Sequence, residues 1–419
     1  MLKRVGRAAV GLACSLALAE LLVRALGTTD EDGCFSLFGR PLPPDPIPLA
    51  STRRHLAAYL ASQESFLVHD PDTGWAPRPG GRSGPFHANA DGLRDERDFP
   101  EEATPGVLRV AIFGDSYTFG DEVAFADTWG EHLEADLAAR GVPAEVLNFG
   151  VSAYGMDQAY LRWKKIGRRF HPDVVVFGLQ PENALRNLNV FRSLYFHNTG
   201  VPLSKPRFVL REGGLEPINL PALPPERVEA ALAGLRDDPL GRDDAFLALY
   251  PRPWWRHSRL AALVAATLAP ELRLDVETLG RSEETRVLAR RVLAEFAADA
   301  RGRGAAFLFA YMPMQSDLRV RLRGGTPWDE DIVRDAGAIA PVVGLGSAVA
   351  PLRDDDFHPG GHWAARLDRA IAAALVEPVV AAACADTARR GSLPACTDVS
   401  RTASPGSRSR PATAPPSPP

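Results

Sequence analysis

The stretch Val107-Leu-Arg-Val-Ala-Ile-Phe-Gly-Asp-Ser-Tyr-Thr-Phe-Gly120 decides how the chain is read. Its first half is a buried-strand pattern: Val107, Leu108, Val110, Ala111, Ile112 and Phe113 are apolar, and most favour extended backbone. The pattern breaks at Gly114-Asp-Ser116, and a second glycine follows at Gly120. A serine just past the carboxyl end of a central parallel strand lies where open α/β sheets place their chemistry. Gly114 permits a sharp turn, and short side chains leave the hydroxyl accessible. An ordinary βα turn with an N-capping Asp or Ser has the same local pattern.

Downstream, strands and helices alternate. A helix is expected over 126–140, with Trp129, Leu133 and Leu137 on one face, then a strand over 142–149. A helix over about 156–169 and a strand over 172–179 follow. The alternation is interrupted over 184–281 by prolines, by Trp254-Trp255 and by one helix-like run near 258–268. It resumes with a helix at 283–301, a strand at 305–312, a helical stretch near 328–336, a short strand near 341–345 and a closing helix at 363–376. The expected fold is a three-layer α/β/α doubly wound parallel sheet, flavodoxin-like in layout, with a long insertion after the third strand. No Gly-rich phosphate loop follows the first strand, so no nucleotide or flavin cofactor is expected.

The flanks read differently. Residues 1–27 combine Lys3, Arg4 and Arg7 with an apolar run from Ala8 to Ala19, then Glu20-Leu-Leu-Val-Arg24. This is an export signal, read as an uncleaved signal anchor in preference to a removed signal peptide. Glu20 and Arg24 are spaced to pair at i,i+4. The basic start keeps the N-terminus cytoplasmic and sends the body outside. Residues 28–106 are an irregular extension and linker, with Pro41–Pro48 as a stiff segment and a helix expected over 52–68. The main domain spans 107–383. The Ser/Pro/Arg-rich end, 384–419, is read as disordered. A formal net charge of −4 and the lack of a basic cluster argue against nucleic acid. The cysteines have no metal-ligand spacing; Cys384 and Cys396 either form a disulfide in an exported protein or remain free thiols.

Polar residues cluster after each strand. Ser116 follows the first; Asn148 and Gly150 follow the second; Glu182 and Asn183 follow the third. A fourth set, Asp354-Asp-Asp-Phe-His-Pro-Gly-Gly-His362-Trp, precedes the last helix. A nucleophilic serine needs a base, a carboxylate to orient it, and N–H donors for the oxyanion, and the chain has candidates for each. With these residues the sequence resembles the SGNH/GDSL hydrolase superfamily. Gly114-Asp-Ser-Tyr is similar to its first block and Asn148-Phe-Gly150 to its second. Asp157-Gln, His171-Pro-Asp-Val-Val-Val and the Ala19-Glu-Leu-Leu-Val-Arg anchor end resemble bacterial, N-terminally anchored members.

The resemblance implies a serine esterase or acylhydrolase working through an acyl-enzyme, without metal or cofactor. Its substrate would be an ester or an acylated sugar. Ser116 would be the nucleophile, with Gly150 and Asn183 binding the oxyanion. The family's third block, Gly-x-Asn-Asp, reads Pro181-Glu-Asn183 here, which puts a carboxylate where an oxyanion would form. The last block fits in two registers. His358 satisfies the spacing to Asp355 or Asp356. His362 lines up with the family's His-aromatic and following helix, and leaves Gly360 where an Asp would sit. Two further readings fit the same residues: a polysaccharide O-acyltransferase, and an envelope protein that keeps the fold without activity.

Overall fold

The computed structural model describes residues 2–62, 65–268, 274–385 and 396. Of the 384–419 end expected to be disordered, all but residues 384, 385 and 396 lies outside the described residues. Five parallel strands form the central sheet: β1 (Leu108–Phe113), β2 (Ala144–Asn148), β3 (Val174–Leu179), β4 (Ala306–Tyr311) and β5 (Val342–Val343), in spatial order β5-β4-β3-β1-β2. This is the flavodoxin-type order, with its switch point between β1 and β3.

Alternation along β1 explains the layers. Leu108, Val110 and Ile112 enter one apolar cluster; Ala111 and Phe113 enter the other. The first cluster is closed by helices Trp129–Ala139 and Ala365–Cys384, the second by Met156–Lys165 and Glu283–Gly302. Phe113 lies at the centre of the second, stacked on Phe149 at 4.6 Å and edge-on to Phe296 at 5.5 Å. Both faces of every central strand are therefore dry, which accounts for the unbroken apolar runs in the sequence.

Between β3 and Glu283 the chain makes short helices, an antiparallel hairpin (Arg207–Arg211 with Gly214–Ile218) and the helix Arg259–Leu268. The hairpin and the helix Pro225–Ala233 had no clear periodicity to announce them. The N-terminal helix expected at 52–68 runs Leu49–Ala61 and gives way to the hairpin Leu67–Asp70/Gly74–Pro77. The closing helix is longer than its pattern suggested: it continues through Pro378 to Cys384. Cys384 and Cys396 are disulfide-bonded, and both are buried. The segment set apart as a tail from residue 384 is thus tied back into the core at its start.

The first helix, Leu2–Leu26, is long and apolar enough to cross a membrane by length and composition. Its Glu20 and Arg24 pair at 2.7 Å, as their spacing implied.

Candidate active site

The serine turn is built by sterics. Gly114 has φ +158°, and a Cβ there would meet Thr118 Oγ1 at 2.2 Å. Asp115 caps the short helix Ser116–Phe119 by accepting from the Tyr117 N–H at 3.0 Å. Ser116 occupies the first helical position, where the backbone N–H has no intrahelical acceptor. Gly120 then adopts the left-handed conformation, and the amides of Gly120 and Asp121 close back on the Ser116 carbonyl. Asp115 is fully buried against Arg186 at 3.1 Å. Burial pushes its carboxyl up, with the Arg186 charge opposing.

Both candidate histidines lie on one tight turn. Phe357 pairs with Trp363, the His358 N–H donates to the His362 carbonyl, and the Gly361 N–H donates to the His358 carbonyl. Tyr117, the neighbour of Ser116, fixes this turn: its hydroxyl donates to the Gly361 carbonyl at 2.8 Å. Its ring lies 5.3 Å from the His362 ring and 5.8 Å from Trp363. His362 is thereby held against the serine segment, with no direct Ser116–His362 hydrogen bond in this structure. His358 is half-buried and makes no side-chain hydrogen bond or ion pair among the described residues.

The carboxylate on His362 comes from an unexpected place. Nδ1 of His362 lies 2.8 Å from Oε2 of Glu122, six residues after Ser116. Glu122 is itself left-handed, with φ +67°. A Cβ on Gly360 would come within 2.6 Å of the same Oε2. So the Glu122 carboxylate fills the space left open where the family pattern would have an Asp. Neither Asp355 nor Asp356 bonds either imidazole. Asp355 is exposed, while Asp356 is buried in an ion pair with Arg366 and accepts from the Arg353 N–H at 2.6 Å. Burial works against ionisation of Asp356, but the Arg366 and Arg353 contacts outweigh it and hold its carboxyl below the usual range.

The second-strand loop packs onto the serine helix. A Cβ at Gly150 would meet the Phe119 backbone nitrogen at 2.5 Å. The Gly150 N–H, however, already donates to Asn148 Oδ1 at 2.9 Å, and Asn148 Nδ2 donates to the Thr118 carbonyl. Gly150 therefore permits close approach, and its amide is engaged. Among the described residues, the loop's amides without an acceptor are those of Ser152 and Ala153, and Ala153 is left-handed at φ +68°. The Ser152 hydroxyl donates to Asp121 at 2.7 Å, which ties this loop to the chain between Ser116 and Glu122. Asn183 starts a short helix, Asn183–Arg186, and is buried with no partner for Oδ1 among the described residues. Glu182 turns toward Arg186, at 3.6 Å.

Arg94 was not singled out by the sequence. It is fully buried, sandwiched between the Phe86 and Phe119 rings at 4.7 and 4.5 Å. It donates to the carbonyls of Phe119 and Val123, so it grips both ends of the segment that carries Glu122. Asp157 and Gln158 are structural. Asp157 is ion-paired with buried Lys205, and Gln158 bonds the Gly155 N–H and the Thr73 carbonyl. No group of three or more His, Cys, Asp or Glu is arranged to hold a metal ion among the described residues. A cavity of about 290 Å³ lies elsewhere, between the 207–218 hairpin and the helix Glu283–Gly302, and takes no wall from the serine turn.

The fold and site define a doubly wound α/β protein with a serine turn at the switch point and an imidazole–carboxylate pair beside it. No family model matches the chain, and no curated protein matches it in sequence. Among solved structures it is similar to a protein described as lipolytic and of the G-D-S-L family from Desulfitobacterium hafniense (TM-score 0.32, 9% identity, 64% of this chain and 98% of that one). It is also similar to an acetyl xylan esterase from Geobacillus stearothermophilus (0.34, 11%, 66% and 96%). A third is a lipase/acylhydrolase from Enterococcus faecalis (0.34, 15%, 65% and 95%).

Proposed function

We propose that this chain is a serine esterase or acylhydrolase of the SGNH/GDSL type, with Ser116 as nucleophile, His362 as base and Glu122 as the carboxylate that orients it. The observation that carries the reading is the Glu122–His362 contact, held by Tyr117 against the serine helix. Ser116 Oγ attacks the ester carbonyl while His362 Nε2 takes its proton. Glu122 at Nδ1 fixes the imidazole tautomer and stabilises the imidazolium as it forms. The oxyanion is received by the Ser116 N–H, an amide of the Ser152-Ala153 pair and the Asn183 side chain. His362 returns the proton to the leaving alcohol, and water then releases the acyl group by the same base. The first helix anchors the protein in the membrane, with the catalytic body outside the cytoplasm.

The test is fluorophosphonate labelling of the full chain in detergent, beside Ser116→Ala, His362→Ala and His358→Ala. Labelling is expected to require Ser116 and His362 and to survive loss of His358. Labelling that survives Ser116→Ala in folded protein overturns the mechanism, and labelling that depends on His358 instead reassigns the base.

A further inference from the structure

The segment after β3 holds more buried polar groups than the mechanism uses. Among the described residues, six buried side-chain atoms without a hydrogen-bond partner fall within residues 180–192, and these include Nε of both Arg186 and Arg192. Such groups are costly unless a ligand meets them. The two arginines differ. Arg186 is committed: its guanidinium bonds Asp115 and the Tyr154 carbonyl and faces Glu182. Arg192 has no carboxylate within salt-bridge distance and no side-chain hydrogen bond among the described residues.

What Arg192 does touch is aromatic. Its guanidinium lies 5.2 Å from the Tyr195 ring and 5.6 Å from the Phe196 ring, and Phe196 is 52% exposed. The charges that act on it are Arg186, Glu182 and Asp115, the last being the residue before Ser116. So a guanidinium without a carboxylate partner among the described residues lies beside an exposed ring suited to pack against the face of a sugar, on the chain that follows Arg186, whose own guanidinium bonds Asp115. Burial and the Arg186 charge both push Arg192 toward its neutral form, which an incoming anion would reverse.

We infer that the segment after β3 binds an anionic group carried by the substrate, a carboxylate or a phosphate on a sugar, with Arg192 as its counter-charge and Phe196 against the ring. This deepens the esterase reading and rests on Ser116 being the reacting centre. The ester bond is then presented to Ser116 by a charge elsewhere on the same molecule. A planar guanidinium favours bidentate contact with either oxyanion.

The experiment is calorimetric binding of glucuronic acid, glucose 6-phosphate and glucose to the full-length Ser116→Ala protein in detergent, alone and combined with Arg192→Gln or Arg192→Lys. At least one anionic sugar should bind about tenfold or more tighter than glucose, with the preference weakened by salt. Arg192→Gln should erase that preference and Arg192→Lys should keep part of it; the circular dichroism spectrum of each variant reports its fold. The stronger arm identifies carboxylate or phosphate. Anions that bind no tighter than glucose, or a preference that survives Arg192→Gln in folded protein, overturn the inference. Fluorophosphonate labelling stands apart: anion preference without labelling sinks the esterase reading and leaves the site, while labelling without preference does the reverse.

Discussion

Glu122 reaches His362 across 240 residues of chain, and no local pattern announces it. Sequence reasoning looked for the orienting carboxylate beside the histidine, in Asp354–Asp356, because that is where a short loop would bring it. Asp356 is instead occupied by Arg366, and a glycine at 360 leaves the gap that Glu122 fills. The serine turn was legible because its constraints are local: a strand, a glycine, a cap. The partner was not, because its constraint is tertiary. Glu122→Gln should keep the shape and lose the charge, lowering kcat/KM by about 10- to 1,000-fold. That is less than for a fully buried triad carboxylate, because Glu122 is 38% exposed. Gly360 has no positive φ, so a side chain is tolerated by the backbone there. Once Glu122 is shortened, Gly360→Asp should restore part of the rate. Steady-state kinetics on Glu122→Ala with and without Gly360→Asp checks this; a Glu122→Gln enzyme with full kcat/KM removes Glu122 from the mechanism.

At the scale of elements, periodicity worked wherever one face was apolar. The five strands and the helices flanking them were readable because unbroken apolar runs and the 3.6-residue repeat report burial directly. The hairpin at 207–218 was not, since its outer half is exposed and carries arginine, glutamate and proline. One contact between readable helices was invisible: Asp368, on Ala365–Cys384, accepts from the Trp129 N–H at 3.0 Å at the start of Trp129–Ala139. Burial, with Asp127 adding to it, raises this carboxyl well above its usual value. A group whose folded pKa is raised stabilises fully below its unfolded pKa, about 4, and loses that stabilisation as pH rises through the folded value. Asp368→Asn keeps an acceptor oxygen and cannot ionise. Its melting temperature should match the parent near pH 4 and exceed it by a widening margin toward pH 8. A margin that is constant or shrinks with pH contradicts a buried, proton-holding Asp368.

At the scale of the whole molecule, the first helix is joined to the body by more than chain connectivity. Glu20 accepts from the Ser258 hydroxyl and from the Arg259 and Leu260 amides, while Arg24 donates to the His257 carbonyl. Glu20 therefore caps the N-terminus of Arg259–Leu268, where the exposed N–H groups and helix dipole favour an anion. Val23, Phe35, Leu42 and Ala262 pack beneath this clamp. The sequence showed Glu20 and Arg24 as an i,i+4 pair within one helix; it had no way to show that the same carboxylate serves a second helix more than 230 residues away. The first helix and Arg259–Leu268 are thus joined by side-chain contacts as well as by the chain. Glu20→Ala removes a cap worth about 0.5–2 kcal/mol, locally and not from the sheet. Hydrogen exchange at the Arg259 and Leu260 amides should then rise by about 2- to 30-fold, with exchange in the five central strands unchanged. Unchanged exchange at those two amides would mean that the carboxylate does not hold the helix, and that the junction rests on Arg24 and the Val23 packing instead.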